Sequence, residues 1–264
     1  MAMRKFVHLI EMLAVRLSIA ALAISIFPTQ IQAQPYPVLQ AKIGFPPAPN
    51  RGAPERTRGA GSRKPTCDGL EVKIPLTPLM PENNVGTTIA PNPTIYVYVP
   101  EFHNKEAEFL IIDQEAEKVV YQTRFPIRNT PGIVKITLPN TVELKSDKNY
   151  LWHLGIICNP NDQEADEVIT GWIERISISP ELEAKIEQLK QQPLEQGKLY
   201  AEAGIWSESL TILAQLRDVN PRGWVELLES VGLGEIAQNP IFECCQIREP
   251  SSTRRSTEMY GYRN

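Results

Sequence analysis

From about residue 70 the chain runs in short apolar blocks broken by turn residues. The best patterned is Asn149–Cys158, Asn-Tyr-Leu-Trp-His-Leu-Gly-Ile-Ile-Cys. Side chains of an extended strand alternate between faces. Tyr150, Trp152, Leu154, Ile156 and Cys158 therefore share one face, and Leu151, His153, Gly155 and Ile157 share the other. Two aromatics, two aliphatics and a cysteine are what a central strand presents to a core, so Trp152 is expected there. The next clear alternation sets Val134, Ile136 and Leu138 against Lys135 and Thr137. Ile95-Tyr-Val-Tyr-Val99 is apolar on both faces, which predicts a strand covered on its second side by another element such as a helix. In all, strands are predicted near 71–77, 94–99, 106–113, 118–125, 132–138, 149–158 and 167–178. Breaks such as Pro91-Asn-Pro93, Asn129-Thr-Pro-Gly132 and Pro139-Asn140 separate them. Short strands punctuated in this way predict an antiparallel two-sheet sandwich.

After 178 the period becomes helical. Ser179 is placed to cap a helix with Pro180 at its first position and Glu181 and Glu183 in its first turn. Leu182, Ile186 and Leu189 line one face of it. A further helix near 221–231 carries Trp224, Leu227, Leu228 and Val231 and ends at Gly232. The fold class expected is thus α+β. An immunoglobulin-like sandwich at 67–178 leads into a helical segment at 179–240 packed on it, then a C-terminal tail at 241–264 that is polar and basic from Pro250.

Two local resemblances refine this. Leu144-Lys-Ser-Asp-Lys-Asn-Tyr150 resembles the tyrosine corner of immunoglobulin-like sandwiches, in which the hydroxyl bonds the backbone upstream. Cys158 falls eight residues after that tyrosine rather than two, so an antibody-type domain is not implied. Gly197, Tyr200, Ala203-Gly204, Trp206 and Pro221 resemble one tetratricopeptide repeat across roughly 190–223. Pro193 stands where that repeat has tryptophan, and Ser209 where it has a small alanine. A single repeat cannot form the stacked peptide groove, for which about three are needed.

Residues 1–33 read as a secretory leader: Arg4 and Lys5, the 11-residue apolar run Leu17–Phe27, Pro28, and a cleavage site after Ala33. That run falls short of the ~20 residues that span a bilayer, so no transmembrane span is expected in the mature chain. Residues 34–66, rich in Pro, Gly and Arg, read as an extended linker. Taking Arg4, Lys5, Arg16 and Glu11 from 27 basic and 31 acidic residues leaves 24 and 30, a net charge of −6. That balance argues against nucleic acid as a partner. In an oxidising compartment the four cysteines Cys67, Cys158, Cys244 and Cys245 suggest bridges. Cys67 precedes the first strand and Cys158 ends the central one, so their pairing is preferred, although connectivity is not readable from sequence alone. For Cys244 and Cys245 a vicinal bridge, an intermolecular link and two free thiols all stay open.

As a set, Pro93-Thr-Ile-Tyr-Val-Tyr-Val-Pro100, Val119-Val-Tyr-Gln122, Thr130-Pro-Gly-Ile133, Trp152 to Cys158, Gly171-Trp-Ile-Glu-Arg175 and Leu199-Tyr-Ala-Glu-Ala-Gly-Ile-Trp206 resemble an exported domain-of-unknown-function family found chiefly in cyanobacteria. The resemblance covers roughly residues 50–240. It implies an extracytoplasmic setting, periplasmic or at the cell surface, and transfers no activity, ligand or catalytic residue.

No nucleophile elbow, zincin helix, phosphate loop or Cys-x-x-Cys is present, so no catalytic residue and no cofactor is expected. His153, on the face away from the core set, has no evident nucleophile partner. Asp162, Glu164 and Asp166 place oxygen ligands at alternate positions and make a weak calcium candidate, since the glycine and closing glutamate of an EF-hand are missing. Glu106/Glu108 and Glu115/Glu117 are carboxylate pairs of the kind glycoside hydrolysis uses, and exposed strand or turn acids are the ordinary explanation. The function expected is a non-enzymatic interaction module of the cell envelope, contacting another envelope protein. The alternative is an envelope glycan binder or hydrolase. Burial of all four tryptophans would favour the first, and exposed coplanar aromatics beside paired acids the second.

Overall fold

The alternating segment around Trp152 is a ten-residue strand in the computed structural model, which describes residues 42–47, 66–162 and 165–244. Among these residues the strands are β1 Thr77–Pro78, β2 Val85–Thr88, β3 Thr94–Val99, β4 Glu106–Asp113, β5 Lys118–Pro126, β6 Gly132–Thr137, β7 Lys148–Ile157, β8 Glu167–Arg175 and β9 Ile241–Glu243. Between β8 and β9 come helices α1 Pro180–Gln188, α2 Pro193–Glu202, α3 Trp206–Leu216 and α4 Pro221–Ser230, and a 3-10 turn at Gly234–Ile236. One sheet has the order β1-β3-β6-β9, the other β2-β8-β7-β4-β5. The fold is α+β with a sandwich-like layout.

Three expectations are corrected. Both sheets are mixed rather than antiparallel, because β2 runs parallel to β8 and β9 parallel to β6. Neither pair is joined by a tight hairpin, the connection that forces antiparallel pairing, and β9 is reached only after four helices. Residues 71–76 form no strand: Pro75 has no amide to donate, and the ladder starts only at Thr77, whose hydroxyl donates to the Pro75 carbonyl. Finally, the tether reading of 34–66 does not extend to 42–47. Ile43 is buried, its amide donates to Glu226 Oε2 at 3.0 Å, and Phe45 meets the Trp206 ring edge-on at 5.0 Å.

The core follows the period-two reading of β7. Tyr150, Trp152, Leu154 and Ile156 are buried, and Leu151, His153, Gly155 and Ile157 are half-buried on the opposite face. Directly across the ladder from Trp152 lies Gly171, and a Cβ there would stand 2.6 Å from the indole. The ring lies on bare backbone, with Phe109 packed on its other flank at 6.0 Å. At the head of β7 the Tyr150 hydroxyl accepts the Lys145 amide at 2.9 Å, the upstream backbone bond read from the Leu144–Tyr150 spacing.

Strand β3 is buried on both faces, as its composition requires, and a helix supplies the second cover: Tyr96 contacts the Trp224 ring of α4. Trp206 of α3 donates from Nε1 to the Leu79 carbonyl at 3.0 Å, and Trp224 donates to Ala237 at 2.9 Å. Helices α2 and α3 approach closely because Gly197 has no side chain, and the buried Ser209 hydroxyl donates to its carbonyl. Ser179 caps α1 by accepting the Leu182 amide.

A buried carboxyl fastens α3 to the end of β2. Glu208 Oε1 accepts from the Thr88 hydroxyl at 2.7 Å and from the Ile89 and Ala90 amides at 2.9 Å each, while Oε2 is buried without a partner. Removal from water raises the pKa of this carboxyl. A raised folded-state pKa means that its contribution to stability is full below the usual 4.5 and falls away as pH climbs through the raised value. The isosteric, uncharged Glu208→Gln lacks this dependence. Acidifying from neutrality to pH 4.5 should therefore raise the melting temperature of the natural protein relative to Glu208→Gln. A gap between the two that ignores pH would contradict it. On the sandwich side, Gly171→Ala should lower stability by ~1–3 kcal/mol by pushing the indole aside. Trp152→Ala should lower it by ~3–5 kcal/mol through the cavity it leaves. Urea unfolding measures both.

Candidate functional site

Burying one face of β7 commits the other face outward. There, β4 contributes Leu110 and Ile112, β7 contributes His153, Gly155 and Ile157, and β8 contributes Val168, which is 55% exposed. These side chains floor a trough of about 450 Å³ across the outer face of the five-stranded sheet. One wall is Asn159, Pro160 and Asp166 from the β7–β8 connection. The other is Glu106 and Glu108 of β4 with Arg124 of β5. Gly155 makes the dip in the floor: a Cβ built there would meet only Val168 Cγ2, at 3.5 Å.

The electrostatics are uneven. Arg124 Nε donates to Glu108 Oε1 at 2.6 Å and Gln122 Nε2 donates to the same oxygen at 2.8 Å, which holds the Glu108 carboxyl below its usual pKa. The Arg124 pKa is raised in turn, first by Glu108 and further by the charges of Glu106 and Asp166. Three carboxylates therefore share one guanidinium. On the floor, partial burial lowers the His153 pKa, so the imidazole is neutral near pH 7. Among the described residues its ring nitrogens have no hydrogen-bond partner, which leaves a donor and an acceptor facing the trough.

The pairing of Cys67 with Cys158 is formed, with Cα atoms 5.6 Å apart and 91 residues between them in sequence. It ties the chain entering the sandwich to the end of β7, beside the trough. Glu167 Oε1 accepts the Cys67 amide at 2.8 Å, and burial raises the pKa of that carboxyl. Cys67, Cys158 and Glu167 form the only grouping of three metal-capable side chains among the described residues, and two of its sulfurs are bonded to each other. The calcium candidates are not gathered into such a grouping among the described residues. Asp166 Oδ1 accepts the Cys158 amide at 2.9 Å, Asp162 lies in the turn after β7, and Glu164 lies outside those residues. Cys244 is disulfide-bonded and its amide donates to Lys135, while Cys245 lies outside the described residues.

A family model described as Domain of Unknown Function (DUF928) matches residues 58–241. The chain belongs to that family. No curated protein matches it. The DUF928 match spans the sandwich and the helices and ends at the first residue of β9. No helix among the described residues is long and apolar enough to cross a membrane.

Of the four tryptophans, Trp152, Trp206 and Trp224 are buried, and Trp172 is half-buried with its indole nitrogen shut from water. No phenylalanine, tyrosine or tryptophan among the described residues is exposed, so none offers a stacking platform. Glu108 is in a poor state to donate a proton, because a glycosidase acid needs its pKa raised and this one is lowered. Asp113 is likewise lowered, chiefly by Lys148 Nζ at 2.7 Å. Sequence reasoning missed the trough floor. The available signal was that Leu110 and Ile112 break the polar phase of β4 and that Gly155 interrupts an otherwise bulky strand. For the disulfide, the chain-entropy model gives ~4–5 kcal/mol for a loop this long. Cys158→Ser should lower stability by that order in urea unfolding, whereas a midpoint unchanged by it would mean that the bridge constrains nothing.

Proposed function

We propose that this DUF928 protein is an exported, non-enzymatic interaction module of the cell envelope, and that its partner docks in the trough on the outer face of the five-stranded sheet. One observation carries the reading. Among the described residues, the trough joins an uncovered apolar floor and a neutral, unbonded histidine to a charged rim, whereas the carboxyls with a chemical look are held by structural partners. Glu108 is bound to Arg124 and Gln122, Asp113 to Lys148, and Glu208 to β2 and the residues after it. Binding sites are typically concave, mostly apolar and marked by a few convergent polar groups, which is the composition here. Export is supported by the leader pattern of residues 1–33 together with the Cys67–Cys158 bridge, which persists in oxidising compartments. The single tetratricopeptide-like hairpin, α2 and α3, then serves as a buttress on the sandwich rather than as a peptide groove. The glycan-binding alternative is supported by the Glu106/Glu108 pair alone and has no exposed tyrosine, phenylalanine or tryptophan beside it among the described residues.

Affinity capture from an envelope fraction tests this with three baits: the natural chain, Gly155→Leu, and Val219→Lys. Gly155→Leu fills the dip without disturbing the backbone, and Val219 is 80% exposed outside the trough. A partner retained by the natural chain and by Val219→Lys but lost from Gly155→Leu is the expected result. Equal retention by all three, or no specific partner, contradicts it.

A further inference from the structure

Taking the trough as the docking surface, we infer that its occupant is an extended, basic segment of a partner protein, with an aliphatic side chain seated over Gly155 and cationic side chains on the acidic rim.

The floor sets the aliphatic requirement. Leu110, Ile112, Ile157 and Val168 surround a position with no side chain of its own, and burying one aliphatic group there removes apolar surface from water on both partners. The wall sets the charge. Glu106, Glu108 and Asp166 face a single Arg124, leaving a local excess of two negative charges in a partly desolvated site. Arg124 is already engaged by Glu108, so an anionic ligand would meet a paired guanidinium and two uncompensated carboxylates. A cationic ligand meets those carboxylates directly, and like-charge exclusion rejects the anionic one. His153 fixes the third feature. A neutral imidazole offers one acceptor and one donor, the pair that a peptide group of an extended segment satisfies. Side chains along such a segment alternate, so one residue points down to the dip while its neighbours reach the rim.

The probes are three labelled hexapeptides followed by fluorescence anisotropy against the full mature chain: alternating Arg-Val, alternating Glu-Val and alternating Arg-Gly. The Arg-Val peptide should bind, more weakly at higher salt because the rim charges are partly exposed. Gly155→Leu should weaken it at least about tenfold, as loss of a buried anchor does. Glu106→Lys should weaken it while leaving the melting temperature unchanged, since Glu106 is exposed. Glu-Val should bind at least about tenfold more weakly than Arg-Val through the same rim charges. Equal binding of Arg-Val and Arg-Gly, indifferent to Gly155→Leu, would reduce the effect to charge alone and overturn the inference. Tight binding of Glu-Val, or binding of none of the three, would overturn the basic-segment assignment. The capture experiment above, with its Gly155→Leu arm, would still report separately on whether the trough is the docking surface. Sedimentation that shows a dimer broken by Gly155→Leu would assign the trough to a second copy. Tighter Arg-Val binding after Arg51, Arg56, Arg58 and Arg63 are replaced by Ser would assign it to the chain's own basic segment. Either outcome overturns a partner in trans.

Discussion

The contact of the Trp152 indole with the bare backbone at Gly171 is the constraint on which the rest of the structure depends. The ring has no room beside any larger residue, so the register of β7 against β8 is fixed by one glycine. In a strand, a one-residue slip exchanges the two faces completely. Fixing Trp152 inward therefore fixes Tyr150, Leu154 and Ile156 inward with it, and His153, Gly155 and Ile157 outward. The ends of β7 are held as well, by the Tyr150 hydroxyl on the Lys145 amide and by the Cys158–Cys67 bridge. Core and candidate site are two consequences of one alternation.

What was legible in the sequence was whatever a local pattern carries. The β7 alternation, the double-sided apolarity of β3, the Ser179-Pro180 helix start and the preferred cysteine pairing all rest on neighbours a few residues apart or on cysteine placement, and the structure has each. What was not legible depends on partners far along the chain. Strands β1, β2 and β9 are two to four residues long and exist only because β3, β8 and β6 offer them an edge. Their mixed directions follow from where the chain returns, a property of topology rather than of period. Ile43 and Phe45 sit in a Pro-rich stretch that reads as solvated, yet each finds a pocket against residues more than 150 positions away. Glu208 resembled any acid in the first turn of a helix, and its burial is visible only once β2 is placed beside α3.

The trough was half legible. His153 was read on the face away from the core, and it lies there. The meaning of Gly155 was hidden, because an open space above a glycine and a clash above one look alike in sequence: Gly155 faces solvent, while Gly171, three residues beyond Gly155's cross-strand neighbour Val168, lies under an indole. Of the carboxylates read as possible acid–base pairs, Glu108 is tied to Arg124 and Glu115 pairs with Lys148. The proposed docking role rests on an apolar floor, a neutral imidazole and a rim in which three carboxylates share one guanidinium.

The central claim is that the outward face of β7 forms a partly desolvated trough with His153 on its floor. The measurement that tests it most directly is an NMR titration of the His153 imidazole in the folded chain, assigned with His153→Gln. The account predicts a midpoint below the ordinary 6.5, because partial burial without a charged partner disfavours the imidazolium. A midpoint at or above 6.5 would place the ring in open water or against a carboxylate, and would contradict the account.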